Sequence, residues 1–282
     1  MARRDRSSSR RPDRRRDEQP HPAAGGRPRK AERARPAAAE RPRPGADRPR
    51  GRMVVYGRNA VREALRGRRR VHRVWATEGA GSDWPGAPLT RASAEEIEAR
   101  CGSDGHQGVC AGVDPYPYAD AAELLATPDA VIVALDEVTD PQNLGAVART
   151  AEASGAAGIV IPERRSAEVT PAVCKASAGA VEHLPIARVR NLADFLAEAK
   201  AAGAWCYGAA AHAGTPYTRP DYSGTVVLVL GAEGKGLRPR VAAACDDLVS
   251  IPLKGRIESL NVSATAAVLL YRILQSRLDM ST

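Results

Sequence analysis

Three segments in the second half of the chain carry residue types suited to holding a ligand through main-chain atoms. They are Asp140-Pro141-Gln142-Asn143-Leu144-Gly145 continuing to Arg149, then Gly231-Ala232-Glu233-Gly234-Lys235-Gly236, then Ser259-Leu260-Asn261-Val262-Ser263. Each sits where an apolar run gives way to small, amide or hydroxyl residues, the pattern of a strand end. Loops at strand ends are where α/β proteins bind ligands. Gly231 ends an apolar run and lets a ligand approach the backbone. Glu233 supplies one carboxylate, and Asn143, Ser259 and Asn261 supply short polar groups that can also cap helices. Arg149 stands among Ala146, Val147, Ala148, Ala151 and Ala153, a setting in which a guanidinium calls for an anionic partner or an internal salt bridge.

The two common nucleotide fingerprints are not met. No GxGxxG follows a strand, and the 231–236 loop does not have GxxxxGK[ST] spacing. The five cysteines (Cys101, Cys110, Cys174, Cys206 and Cys245) are odd in number and widely spaced, with no CxxC or HExxH. A metal site or disulfide framework is therefore not expected, and a reduced, cytoplasmic setting fits.

The elements that must position these loops follow from periodicity. Residues 130–135 form a continuous apolar run suited to a buried parallel strand, and 158–161, 204–207, 225–230 and 248–252 read as further strands. Helices are expected over 145–154, 172–179, 192–201 and 261–278. Strands alternating with helices indicate an α/β fold, a parallel sheet covered on both faces. A smaller α/β unit is expected over 53–114: a helix near 59–65 with Asn59 as its cap, a helix over 94–100, and strands at 71–76 and 108–113. Residues 115–128 read as a linker with a helical turn or two over 119–126.

Charge is unevenly distributed. The chain of 282 residues carries a formal net charge of +9. Residues 1–50 hold 17 Lys+Arg against 7 Asp+Glu, so the remainder holds 25 (42 less 17) against 26 (33 less 7). The first 52 residues contain no Val, Ile, Leu, Phe, Tyr, Trp or Cys. Such a segment cannot bury enough apolar surface to offset its ordering entropy, and is expected to be a disordered basic tail. It reads either as a polyelectrolyte arm for RNA or as a solubilising extension. In the following segment, Arg58, Arg62, Arg66 and Arg69 recur at roughly helical spacing, which predicts one basic face for RNA. No run approaches the ~20 apolar residues of a membrane span, so no membrane association is expected.

Asn143-x-Gly145-x-x-x-Arg149, Gly231-x-Glu233-x-x-Gly236 and Ser259-Leu260-Asn261-Val262-Ser263 resemble, in order and spacing, the three motifs of the SpoU (TrmH-like) RNA ribose 2′-O-methyltransferases. The resemblance covers about residues 130–278. Upstream, Tyr56-Gly57-Arg58-Asn59-Ala60-Val61 and His106-Gln107-Gly108-Val109 are similar to the small L30e-like substrate-binding domain of that family, typical of the branch that methylates a guanosine of 23S rRNA. The resemblance implies a SPOUT-type sheet over 129–282 with a deep trefoil knot, S-adenosylmethionine as cofactor, and a homodimer joined through the C-terminal domain. It assigns Gly231, Ile251 and Leu260 to the cofactor, and Asn143, Arg149, Glu233, Ser259 and Asn261 to the reaction centre.

The implied reaction is an in-line displacement at sulfur-bound methyl by a ribose hydroxyl, so alignment and charge stabilisation carry the catalysis. A guanidinium, which holds its proton firmly, is a poor base. Arg149 is accordingly expected to clamp an RNA phosphate and stabilise developing oxyanion character, with a base role left open where another group perturbs it. A tRNA substrate, and a non-catalytic RNA-binding protein of the same fold, are the alternatives.

Overall fold

The structure, a computed structural model, describes residues 51–81 and 83–280. The expected basic tail therefore lies outside the described residues except for its last two positions. Among the described residues the chain forms two sheets.

The first sheet joins β1 (Met53–Tyr56), β4 (Val109–Val113), β2 (Val71–Ala76) and β3 (Leu89–Arg91) in the order β1-β4-β2-β3. β4 pairs antiparallel with both β1 and β2, and β3 adds in parallel to β2. Helices α1 (Arg58–Arg66) and α2 (Ala94–Cys101) complete this unit. Ser93 and Glu96 close a reciprocal capping box on α2. The α1 helix starts differently from expectation. Gly57, at φ 91°, occupies the cap position, and Asn59 lies inside the first turn. Only glycine adopts that backbone cheaply, so the turn into α1 is set by Gly57 rather than by a capping side chain.

The second sheet is parallel throughout, in the order β7-β6-β5-β10-β8-β11-β9. Its strands are β5 (Val131–Asp136), β6 (Gly158–Pro162), β7 (Ile186–Val189), β8 (Trp205–Ala209), β9 (Thr215–Pro216), β10 (Val226–Gly231) and β11 (Asp247–Ser250). The intervening helices are α3 (Ala121–Leu125), α4 (Pro141–Ala153), α5 (Pro171–Ala176), α6 (Leu192–Ala201), α7 (Pro239–Ala244) and α8 (Val262–Met280).

Side-chain alternation divides the core into two layers. Val131, Val133, Leu135, Leu228 and Leu230 face a cluster built with α4, α5 and α8, whereas Ile132, Ala134, Val227 and Val229 face α6 and α7. The first cluster continues without a break into Val55 and Val74 of the small sheet and Val61 and Ala64 of α1. Residues 115–128, expected as a linker, are tied to the large sheet. The Tyr116 hydroxyl donates to the Leu184 carbonyl (3.0 Å), the Val169 N–H donates to the Tyr118 hydroxyl (2.9 Å), and the Ala119 N–H donates to the Ile186 carbonyl (2.9 Å).

The strand order reverses at β5 and β10. From β5 the chain moves outward through β6 and β7, then returns to build the other half beyond β10. Asp136 and Gly231 are register partners at the carboxyl ends of these two central strands. That is the switch point at which open parallel sheets bind their ligands.

Candidate active site

Three of the strand-end loops converge there. Asp140 caps α4 by accepting the Gln142 N–H (2.9 Å), with Pro141 at the first helical position. The helix thus begins earlier than periodicity suggests, and Asn143 is not its cap. Asn143 lies instead in the first turn, buried, and its Nδ2 donates to Glu233 Oε1 across 2.9 Å. Asn261 Nδ2 donates both to Asn143 Oδ1 (3.0 Å) and to Glu233 Oε1. Asn261 Oδ1 accepts from the Ser263 N–H (2.8 Å), so the same amide also caps α8. One carboxylate and two amides therefore connect all three motifs.

Beside this triad lies a cavity of about 490 Å³. Its lining includes Gly231, Glu233, Ile251, Leu253, Ser259 and Leu260, and residues 209–212, the end of β8 and the loop after it, also face it. The walls combine apolar side chains with exposed main chain, in the size range of a nucleoside-containing ligand. A Cβ on Gly231 would come within 2.2 Å of the Gly236 carbonyl carbon, so the loop can fold back on itself only with glycine there. Gly145 has a packing role of the same kind: a Cβ there would meet Ala176 Cβ at 2.4 Å, and its absence lets α4 lie against α5.

The structure gathers Asn143, Glu233, Asn261, Ser259, Gly231, Ile251 and Leu260, but within one chain it does not bring Arg149 to them. Arg149 lies six positions beyond Asn143 along α4, about 9 Å of rise and roughly 120° of rotation. Arg149 is exposed on α4 and does not line the cavity.

A further pair was not singled out by sequence. Asp136, fully buried at the end of β5, accepts the Arg238 main-chain N–H (2.8 Å) and its Nε (2.7 Å), and pairs with Nη2 (2.6 Å). The hydrogen bond to Asp136 raises the Arg238 pKa above its ordinary value. This staple fixes the end of the 231–237 loop onto the neighbouring strand. The available signal was an acidic residue closing an apolar run, which is too common to stand out.

The basic face on the small unit is smaller than expected. Arg62 and Arg66 are exposed on α1; Arg66 also pairs with Glu63 (3.1 Å). Arg58 spends its guanidinium on the carbonyls of Gly79 (3.0 Å) and Gln107 (3.4 Å), joining the two upstream motifs to each other. Arg69 is a correction. The helix ends at Arg66, so the spacing does not carry through, and Arg69 turns inward with 2% side-chain exposure. Its guanidinium grips Glu182 of the large unit, with Nε at 2.9 Å from Oε2, and also donates to the Asp114 carbonyl (3.2 Å). Burial alone would lower the Arg69 pKa, but Glu182 and Cys174 hold it above the arginine norm. Burial also pushes the Cys174 thiol up to about 11. Arg68, Arg70 and Arg73 remain exposed.

Comparison with known proteins identifies the family. The model of the SpoU rRNA Methylase family matches residues 130–271, and the model of the RNA 2′-O ribose methyltransferase substrate-binding domain matches 54–119. A putative TrmH family tRNA/rRNA methyltransferase of Bacillus subtilis is 38% identical over 79% of this chain and 95% of its own length. A Synechocystis relative called an uncharacterized tRNA/rRNA methyltransferase is also 38% identical over 79% of the chain, which spans 62% of that longer protein. Among solved structures, the SpoU methyltransferase AviRb of Streptomyces viridochromogenes, in complex with AdoMet, superposes with a TM-score of 0.70 at 25% identity, covering 81% of this chain and 91% of AviRb. An AdoMet-bound rRNA methyltransferase from Sinorhizobium meliloti gives 0.68 at 26% identity, covering 80% of this chain and 87% of its own.

Proposed function

Since the chain belongs to the SpoU family of S-adenosylmethionine-dependent RNA methyltransferases, we propose that it methylates a guanosine ribose 2′-oxygen of 23S rRNA, working as a cytoplasmic homodimer. The observation that carries this reading is the meeting of all three motifs at the Asn143–Glu233–Asn261 triad, directly beside the cavity. A substrate-binding unit upstream of the catalytic sheet, and the likeness across both to a solved rRNA methyltransferase, support rRNA over tRNA.

The cavity suits the donor. Apolar walls at Ile251, Leu253 and Leu260 can sandwich a nucleobase, while the main chain at 231–236 and 258–260 offers polar groups for the rest of the ligand. When bound, S-adenosylmethionine supplies a methyl group on a cationic sulfur. Glu233 adds negative charge to that wall, and Ser259 offers a hydroxyl there. The trefoil knot implied by the family resemblance belongs to this proposal, with the loops after β8, β10 and β11 crossing around the cavity.

The dimer assignment rests on α8. Ala264, Val268, Tyr271, Gln275 and Leu278 form an exposed stripe at nearly heptad spacing, and Tyr271 and Leu278 are 51% and 56% exposed. α8 packs alongside α4, the helix that carries Arg149. A second copy on this face supplies its own Arg149 near the first copy's cavity, which resolves the separation seen within one chain. There Arg149 holds the RNA phosphate and stabilises charge developing on the attacking ribose oxygen. The two units divide the work, with 53–114 capturing RNA and 129–282 performing transfer.

Mapping 2′-O-methyl nucleotides by mass spectrometry in rRNA from cells with and without the protein tests the substrate. One guanosine of 23S rRNA should lose its mark when the protein is absent; loss in tRNA with intact 23S rRNA contradicts the proposal.

Capture is separable from catalysis. Charge reversal at Arg66 and Arg68 should weaken RNA binding and reduce the slope of log affinity against log salt by about 1 for each phosphate no longer neutralised. Filter binding between about 50 and 200 mM salt, the range over which such effects are large, checks this; an unchanged slope removes the basic face from the account.

A further inference from the structure

We infer that the Lys175 ammonium binds a phosphate of the RNA at the seam between the small and large units, beside the first turn of α1; this deepens the RNA methyltransferase reading and rests on it.

Lys175 stands in the last turn of α5, and its side chain crosses the seam to lie over the main chain of Gly57. A Cβ built on Gly57 would meet Lys175 Nζ at 2.5 Å and Cδ at 2.8 Å. The next residue, Ala176, packs on Gly145 of α4, two residues beyond Asn143. Further along, a Cβ on Gly179 would meet the Asn59 carbonyl oxygen at 3.2 Å, so the first turn of α1 rests on the same segment. Lys175 therefore borders the Tyr56-Gly57-Arg58-Asn59 turn of the small unit on one side. On the other it is one residue from the contact with the motif-bearing helix of the large unit.

Its charge is unmatched there. Among the described residues the Lys175 ammonium makes no hydrogen bond or ion pair, and burial lowers its pKa with no carboxylate offsetting the shift. The neighbouring groups are already committed. Glu63, the only acid of α1, pairs with Arg66 (3.1 Å) and His183 (2.9 Å). The Arg58 guanidinium donates to the Gly79 and Gln107 carbonyls, and Arg69 is held by Glu182. A partly buried ammonium with no acid beside it is stabilised by an anion that arrives with a ligand. Here that anion is a phosphodiester of the chain held by the small unit and presented to the large one. The plain structural account differs: the four-carbon stem covers Gly57, and the charge has no role. The two accounts part on the charge alone.

Lys175→Met keeps the stem and removes the charge, whereas Lys175→Arg keeps the charge. The experiment is filter binding of wild type and both variants to 23S rRNA, with thermal melting and S-adenosylmethionine titration of each. Lys175→Met should melt and bind the donor as wild type does. It should bind RNA about tenfold more weakly, the order of one charge-assisted hydrogen bond. Its slope of log affinity against log salt should be smaller by about 0.7–0.9, the share of one phosphate. Lys175→Arg should retain most of the affinity. A folded Lys175→Met with the RNA affinity and salt slope of wild type overturns the inference. If Lys175→Met does not fold, amine acylation of the wild-type protein read by mass spectrometry decides the matter. Bound RNA should protect Lys175 and leave Lys200 unchanged, since Lys200 lies on α6 across the sheet and pairs with Asp246 (3.6 Å). Equal modification of Lys175 with and without RNA overturns the inference. A wild-type protein that does not bind 23S rRNA at all overturns it together with the rRNA reading on which it rests.

Discussion

Replacing Arg149 with alanine should abolish methyl transfer to RNA while leaving the affinity for S-adenosylmethionine within about twofold. The side chain is exposed on α4 and does not reach the cavity of its own chain, so its loss leaves the donor site intact. Removing a single preorganised charge-stabilising group costs about 10²- to 10³-fold in kcat in comparable sites, and loss of the phosphate clamp adds to that. The dimer reading makes a sharper demand. Mixing Arg149→Ala with a variant defective only in the donor cavity should regenerate activity, because one of the two sites in the mixed dimer then combines an intact cavity with the partner's arginine. Single-turnover transfer assays on the separate and mixed proteins check this. Wild-type rates in Arg149→Ala contradict the assignment.

The second large effect is on stability. Arg69→Met should destabilise the folded chain by about 3–5 kcal/mol, because it leaves the Glu182 carboxylate buried with its principal cation removed. Both side chains are at most 2% exposed, so water cannot replace the missing partner without reorganisation. For a folded unit of this size that corresponds to a fall in melting temperature of roughly 6–20 °C. Pairing the change with Glu182→Leu should recover most of the loss, since removing both charges eliminates the unsatisfied group. A thermal scan on the single and double variants decides it, and a single variant melting within about 2 °C of wild type, less than 1 kcal/mol on this scale, would contradict the buried-pair reading. The same interface has tight main-chain approaches. A Cβ on Gly67 would meet Glu182 Cβ at 2.7 Å, and one on Gly179 would meet Glu63 Cβ at 2.5 Å. The small sheet is thus held against the large one by close packing as well as by charge.

These features differ in how far the sequence announced them. The apolar run at 130–135 suits a buried strand, and β5 lies there within one residue at each end. The helix expected over 192–201 is α6 at those bounds, because its apolar spacing and the Asn191 cap agree. The α4 helix starts before its expected position, although Asp140-Pro141 is a cap followed by a favoured first residue; the glycine and amide behind that pair obscure the signal. Short elements such as β9 and α7 have too few residues to show a period. The candidate site was legible as three segments, but not as a hydrogen-bonded triad. Asn143 and Glu233 are 90 residues apart, and no local rule specifies which polar tips meet. Arg69 illustrates the opposite error. A run of arginines reads as a solvated face, yet one of them satisfies a buried carboxylate 113 residues away.

Calorimetric titration of the folded protein with S-adenosylmethionine addresses the central claim most directly. A saturable event with one donor per chain is expected, weakened at least about tenfold (roughly 1.4 kcal/mol) in Gly231→Ala, whose added methyl has no room against the Gly236 backbone. A protein that melts cooperatively yet gives no saturable heat at several temperatures, or a Gly231→Ala variant that binds as wild type does, would contradict the assignment of this cavity to the methyl donor.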